Sequence, residues 1–144
     1  MLENRELLVV VTTPEGKVYN HRSYSVSAEA IDGGITILPN HAPIMLPLKI
    51  GELQVKRFSE DSPTNYIAIG GGIMEVRDNV VTVIANVAER ARDIDVGRAE
   101  QARDKAEAII QDKNCSKSEV ERAKIALNKA INRIGVSKHR RLKQ

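Results

Sequence analysis

Asp95, Arg98 and Lys105 could meet phosphate. Asp95 and Arg98 lie three apart and Lys105 seven beyond Arg98, so a helix would hold them on one stripe. Lys129 and Arg133 are four apart and would align in the same way on a second helix. If two such helices pack antiparallel, the cations converge around a phosphate chain. The plainer alternatives are that Asp95 is a helix N-cap and that the cations are solvated charges on an outer face.

A second segment stands out at Leu38-Pro39-Asn40-His41-Ala42-Pro43. Prolines at 39, 43 and 47 bracket a stretch that reads as loop rather than central strand. It is either a stiff loop in which His41 satisfies backbone groups, or a rigid exposed loop shaped for a partner. No enzyme constellation appears. There is no phosphate-binding loop of the G-x-x-x-x-G-K-[ST] type, and Gly70-Gly71-Gly72 reads as a strand bulge or close backbone approach. His21, His41 and His139 are scattered, and the lone Cys115 pairs with none of them, so neither metal spacing nor a nucleophile pair is visible.

The elements that must carry these residues fall into two halves. Leu7–Thr13, Tyr24–Glu29, Gly34–Leu38, Glu52–Phe58, Tyr66–Ile69, Ile73–Val76 and Val80–Val87 read as short strands, with turns at Pro14-Glu15-Gly16 and Arg77-Asp78-Asn79. Eight to ten strands without helical pattern favour an antiparallel sandwich or flattened barrel. Beyond residue 89 the period changes. Ala99, Ala102, Ala106, Ile109 and Ile110 recur at helical steps, as do Val120, Ala123, Leu127, Ala130, Ile131 and Ile134. Ser116-x-x-Glu119 is a capping box that starts a second helix, and Gly135 is a natural stop. The tail 137–144 lacks an apolar period and reads as frayed.

Composition follows the same division. Of 144 residues, 22 are Lys or Arg and 19 Asp or Glu, a net of +3. Residues 1–88 hold 7 basic and 10 acidic side chains, and residues 89–144 hold 15 and 9, so the halves carry −3 and +6. All five prolines and all but two of the nine glycines precede residue 89. The expected fold is therefore α+β, a β-sandwich over 1–88 followed by an antiparallel helical hairpin over 89–144. One cysteine excludes an internal disulfide, and no apolar run approaches the ~20 residues of a membrane span. Met1–Glu6 lacks the pattern of a signal peptide, so the chain reads as soluble and made in a reducing compartment.

Taken in order, Gly-Gly-Ile-Thr-Ile-Leu-Pro-Asn-His-Ala-Pro at 33–43, Ala-Ile-Gly-Gly-Gly at 68–72, Val-Thr-Val-Ile-Ala at 81–85 and the hairpin resemble the epsilon subunit of bacterial and chloroplast F-type ATP synthases. The resemblance spans nearly the whole chain. It implies a ten-stranded sandwich followed by two helices, in a non-catalytic rotor subunit of proton-driven ATP synthesis. The sandwich would grip the gamma subunit of the central stalk and rest on the c-subunit ring, with Pro39, Asn40, His41, Ala42 and Pro43 at a contact. The hairpin would either fold against the sandwich or extend along gamma and brake ATP hydrolysis. Arg122, Lys124, Lys129 and Arg133 would then face an acidic segment of the catalytic beta subunit.

Ile94-Asp95-Val96-Gly97-Arg98-Ala99 matches the family's I/L-D-x-x-R-A motif, which in several members binds ATP without hydrolysing it. The resemblance implies a site of Glu89, Ile94, Asp95, Arg98, Ala99, Lys105, Lys129 and Arg133. ATP would be a regulatory ligand, and no cofactor would be required. Lys105 and Lys129 stand where arginine is usual and offer point charges in place of forks. Gly34 occupies a position where some members carry an acidic ring-docking residue. The location implied is peripheral, on the cytoplasmic face of the bacterial membrane, with the stromal face of the thylakoid as the alternative. Two other classes compete with this reading. A nucleic-acid-binding accessory protein is disfavoured by a hairpin without aromatics, whose acidic residues interrupt the basic ones. A small β-sandwich enzyme is disfavoured by the missing constellation.

Overall fold

The computed structural model describes residues 6–139. Eight strands form the N-terminal part: β1 Leu7–Thr13, β2 Gly16–Ser23, β3 Ser25–Ala30, β4 Gly33–Ile37, β5 Ile44–Lys56, β6 Thr64–Arg77, β7 Val80–Ala85 and β8 Ala88–Arg90. They pair in the order β2-β1-β7-β6-β5-β3-β4, with β8 also on β6. The pairings are antiparallel except β1 with β7, which is parallel.

The count is eight, not the ten of the resemblance, because β5 and β6 are each long enough to serve both layers. β7 pairs with residues 72–77 of β6, whereas β8 pairs with residues 67–69 of the same strand. The change of partner falls at Gly70-Gly71-Gly72. Gly71 has φ +88, where a side chain is strained, and a Cβ on Gly72 would lie 2.3 Å from the Ile84 carbonyl oxygen. The glycine run thus bends a single strand and lets β7 approach it.

Pro47, expected in a loop, lies inside β5 opposite Ile73. The β3–β5 ladder beside it is interrupted between Ser27 and Ala30, so a residue without an N–H fits there. The last long strand stops at Ala85 rather than Val87, and β8 follows it.

Alternation along the strands sends Leu7, Val9 and Val11 inward to meet Val26, Ile37, Leu53, Val55, Ile67, Met74, Val76 and Val81. Each such side chain contributes about 1.5–3 kcal/mol when fully buried, so the sandwich holds most of the fold's apolar stabilisation.

A 3₁₀ turn at Ala91–Asp93 leads to helix α1, Val96–Gln111, and then α2, Lys117–Ser137. Asp95 caps α1, its Oδ1 accepting from the Arg98 N–H at 3.1 Å. Ser116 and Glu119 form the full capping box of α2, at 3.2 and 3.3 Å. Ala99, Ala106, Ala123 and Ala130 are buried along the hairpin. Ile131, expected in that seam, is 52% exposed, and Ile109, Leu127 and Ile134 are only half-buried. Small side chains bring the helices close but remove little area from water. Gly135 does not end α2. The helix runs two residues further, to Ser137, because Val136 and Ser137 are buried and hold that turn in place.

Candidate functional site

The hairpin rests on the sandwich mainly through α2, which meets β5, β6 and the 3₁₀ turn. A small apolar cluster of Ala68, Ala91, Ile94 and Val136, flanked by Tyr66, joins the two parts. Around it lie polar ties. Asn132 Nδ2 donates to the Gly51 carbonyl at 2.9 Å and to the Ile69 carbonyl at 3.4 Å. Arg133 Nε is 2.6 Å from Glu89 Oε1, and its second nitrogen donates to Oε2 at 3.4 Å. His139 stacks on Tyr66 with ring centres 3.5 Å apart and places Nε2 3.2 Å from Glu52 Oε2.

The predicted phosphate-binding residues separate into groups. Glu89, Lys129 and Arg133 come together and line one crevice with Asn132, Gly70 and Val87. That crevice encloses ≈ 20 Å³, about the room of one water molecule. Ile94, Asp95 and Ala99 already have structural tasks, Ile94 and Ala99 buried and Asp95 capping. Arg98 and Lys105 are exposed on α1. Of these cations, Arg133 is already paired with Glu89.

Arg122 and Lys124 are exposed on the outer side of α2. Cys115 sits between the helices with Sγ 3.6 Å from Asp112 Oδ2. Local desolvation and the Asp112 carboxylate push its thiol above the ordinary value, which leaves it a poor nucleophile.

The proline loop is tied down. Asn40 has φ +69, and its N–H donates to Asn79 Oδ1 at 2.6 Å, while Asn79 Nδ2 donates back to Asn40 Oδ1 at 3.3 Å. Asn79 belongs to the β6–β7 turn, where Asp78 and Asn79 both have positive φ. His41 Nδ1 donates to the Ala42 carbonyl at 2.7 Å. Pro39 and His41 are half-buried, while Asn40, Ala42 and Pro43 are exposed. Beside the loop, Pro43, Ile44, Met45, Glu75, Arg77 and Asp78 line an open groove of ≈ 520 Å³. Exposed Ile73 and Ile84 face each other across β6 and β7 on the same sheet. The result is a stiff, partly apolar end of the sandwich.

Sequence reasoning missed two features. Two residues past α2, His139 docks on the sandwich from the stretch read as frayed; residues 140–144 lie outside those described. The other is a group of arginines and aromatic rings where β2, the end of β5 and the turn after β8 meet. Among the described residues no helix is long and apolar enough to cross a membrane, and no cluster of three metal-ligating side chains occurs.

Two family models account for almost the whole described chain. One, described as ATP synthase, Delta/Epsilon chain, beta-sandwich domain, matches residues 6–91. The other, ATP synthase, Delta/Epsilon chain, long alpha-helix domain, matches residues 92–138. Among solved structures, a chain of the Euglena gracilis mitochondrial ATP synthase (OSCP/F1/c-ring, rotational state 1) matches with TM-score 0.73 and 20% identity. The match covers 89% of this chain and 79% of that one. A chain of the Tetrahymena thermophila mitochondrial ATP synthase (central stalk/c-ring) matches with TM-score 0.58 and 12% identity, covering 94% and 99%. At such identities these two speak for the fold. With family models matching residues 6–91 and 92–138, the chain belongs to the ATP synthase delta/epsilon chain family and is a non-catalytic subunit of that complex.

Proposed function

We propose that this chain is the epsilon-type rotor subunit of an F-type ATP synthase, coupling the central stalk to the c ring and regulating hydrolysis through its hairpin. One observation carries the reading. The hairpin is complete in itself, with both helices capped, yet it is held to the sandwich by four buried apolar residues and a few polar ties. Such an element can leave as a unit with its own seam intact. The sandwich, with its large core, stays folded as the docking part.

In this reading Pro39–Pro43 and the adjoining apolar face meet gamma and the c ring. Arg122, Lys124, Lys129 and Arg133 meet an acidic segment of the catalytic beta subunit when the hairpin is extended. The excess of cations in the second half suits that partner by charge complementarity. Contact with the membrane is through the complex alone, on the cytoplasmic face in a bacterium or the stromal face in a chloroplast. ATP is a regulatory ligand of the compact hairpin rather than a required cofactor, with phosphates on Arg98, Lys105, Lys129 and Arg133.

The test is deletion of residues 92–144 in the assembled complex. ATP hydrolysis should rise, while the sandwich remains bound to the stalk. Unchanged hydrolysis removes the brake from this proposal, and loss of binding by a folded sandwich removes the partner assignment.

A further inference from the structure

Arg57, at the end of β5, and Arg90 and Arg92, around the end of β8, gather near Tyr19 and His21 of β2. The geometry is built from rings and guanidinium planes. The Arg90 guanidinium carbon lies 5.1 Å over the centre of the Tyr19 ring, and that of Arg57 lies 4.9 Å over Phe58. Tyr19 and His21 meet edge to face at 4.8 Å. Asn65 Nδ2 donates to the Tyr19 hydroxyl at 3.3 Å and fixes that ring.

The cluster is short of negative charge. Among the described residues, the carboxylate in ion-pair contact with any of the three arginines is Asp93, 3.9 Å from Arg92 Nε. Arg57 Nε is shut off from solvent and has no hydrogen-bond partner among the described residues, so only the two Nη groups of Arg57 are left to meet a ligand. Burial, with Arg57, Arg90 and Arg92 acting on it together, holds His21 below its ordinary pKa. Burial and the Arg92 charge likewise lower Arg90. Each arginine is therefore within electrostatic reach of the same imidazole, and the group repels itself. Stacking on a ring engages the face of a guanidinium and leaves its N–H edge free for a carboxylate. Phe58, 76% exposed, supplies an apolar anchor beside Arg57. Exposed aromatic and arginine side chains at one place are the composition of interface hot spots.

We infer that Arg57, Arg90 and Arg92, with Phe58, form a docking surface for an acidic segment of a partner protein. Carboxylates of that segment would take the free guanidinium edges, and an apolar side chain beside them would cover Phe58. The surface spans the sandwich and the 3₁₀ turn that follows it. It shares no residue with the hairpin cations or with Pro39–Pro43, and it does not depend on the proposed brake or on ATP.

The test uses the full chain and a fluorescein-labelled peptide of six glutamates around one leucine, with fluorescence anisotropy at 50 and 300 mM salt. The expected result is binding that weakens at least tenfold in Arg57→Gln/Arg92→Gln, and severalfold in Phe58→Ala. Arg122→Gln/Lys124→Gln, which removes hairpin cations, should change it less than twofold. Equal loss in both double variants, or none in the first, overturns the surface. Pyrophosphate that displaces the peptide at equal or lower concentration also overturns it, and points to a small-anion site. If the first variant fails to fold by circular dichroism, the wild-type His21 proton resonances decide. Added peptide should raise the His21 titration midpoint toward its ordinary value, because bound carboxylates offset the arginines; no movement overturns the proposal.

Discussion

Arg133 of the second helix meets Glu89 of the last strand at 2.6 Å, across the line where sandwich and hairpin join. Both side chains are about a quarter exposed, at 24% and 28%. The pair is thus neither a solvated surface bridge nor a fully desolvated one. Removing one partner leaves a half-buried charge, at a cost of about 1–2 kcal/mol, between the surface and buried limits.

Glu89→Gln should therefore loosen the hairpin without touching the sandwich core. Amide exchange over residues 128–137 should quicken severalfold, while β1, β5 and β6 amides keep their protection. Equal exchange in wild type and variant would mean that Asn132 and the Val136 cluster alone hold the docked state.

Two glycines should respond in opposite directions to alanine. At Gly72 the added Cβ meets a backbone carbonyl oxygen at 2.3 Å, which only a strand shift relieves, so Gly72→Ala should cost about 2–4 kcal/mol. Gly135 lies inside α2 with nothing within 4 Å of its would-be Cβ. Gly135→Ala should add about 0.5–1 kcal/mol through helix propensity. Urea unfolding of the two variants, read at the sandwich and at the helices, checks both signs.

His21 gives a pH dependence. Its folded pKa is lowered, by burial first and by the three arginines next. The unfolded chain then binds the proton more readily than the folded one. The stability tied to a neutral His21 is full above the ordinary histidine value near 6.5, and falls as pH drops through the lowered native value. His21→Gln should flatten the fall in thermal midpoint between pH 7 and 5. A profile identical to wild type would assign that fall to other groups.

The fold was legible where local rules decide. The β-branched run Leu7–Thr13 closed by Pro14-Glu15-Gly16 marks a strand, and Ser116-x-x-Glu119 and Asp95 mark helix starts, because each depends on residues only a few positions apart. Pro47 was misread because its strand tolerates it only through a gap in the β3 ladder, a long-range feature. Gly135 was misread because burial of Val136 and Ser137 against the sandwich outweighs the propensity to stop. The His139–Tyr66 stack joins residues far apart in sequence, so no window of the chain displays it. The motif 94–99 was readable as residues, but its letters could not tell capping from ligand binding. The structure gives Asp95 the cap and leaves the ligand to be measured.

The nucleotide proposal can be tested residue by residue. ATP that binds only the compact form at a hundred times its dissociation constant adds about 2.7 kcal/mol to that form, enough to hold an evenly balanced hairpin down. Calorimetry of the full chain should show heat with ATP and lose it in Arg98→Ala. That side chain is exposed and caps nothing, so the helices should remain. Asp95→Asn keeps an equally good cap, so any loss of affinity there reports contact between the carboxylate and the nucleotide or its bound cation. Glu89→Gln separates two arrangements. If Glu89 competes with phosphate for Arg133, the freed guanidinium should offset the loosened docking, and the variant should bind ATP at least as tightly as wild type. If Glu89 itself holds the nucleotide, binding should weaken. Absence of heat with millimolar ATP, with both helices folded, leaves Asp95 as a cap, Arg98 as a solvated charge and Arg133 as the tie that holds the hairpin down.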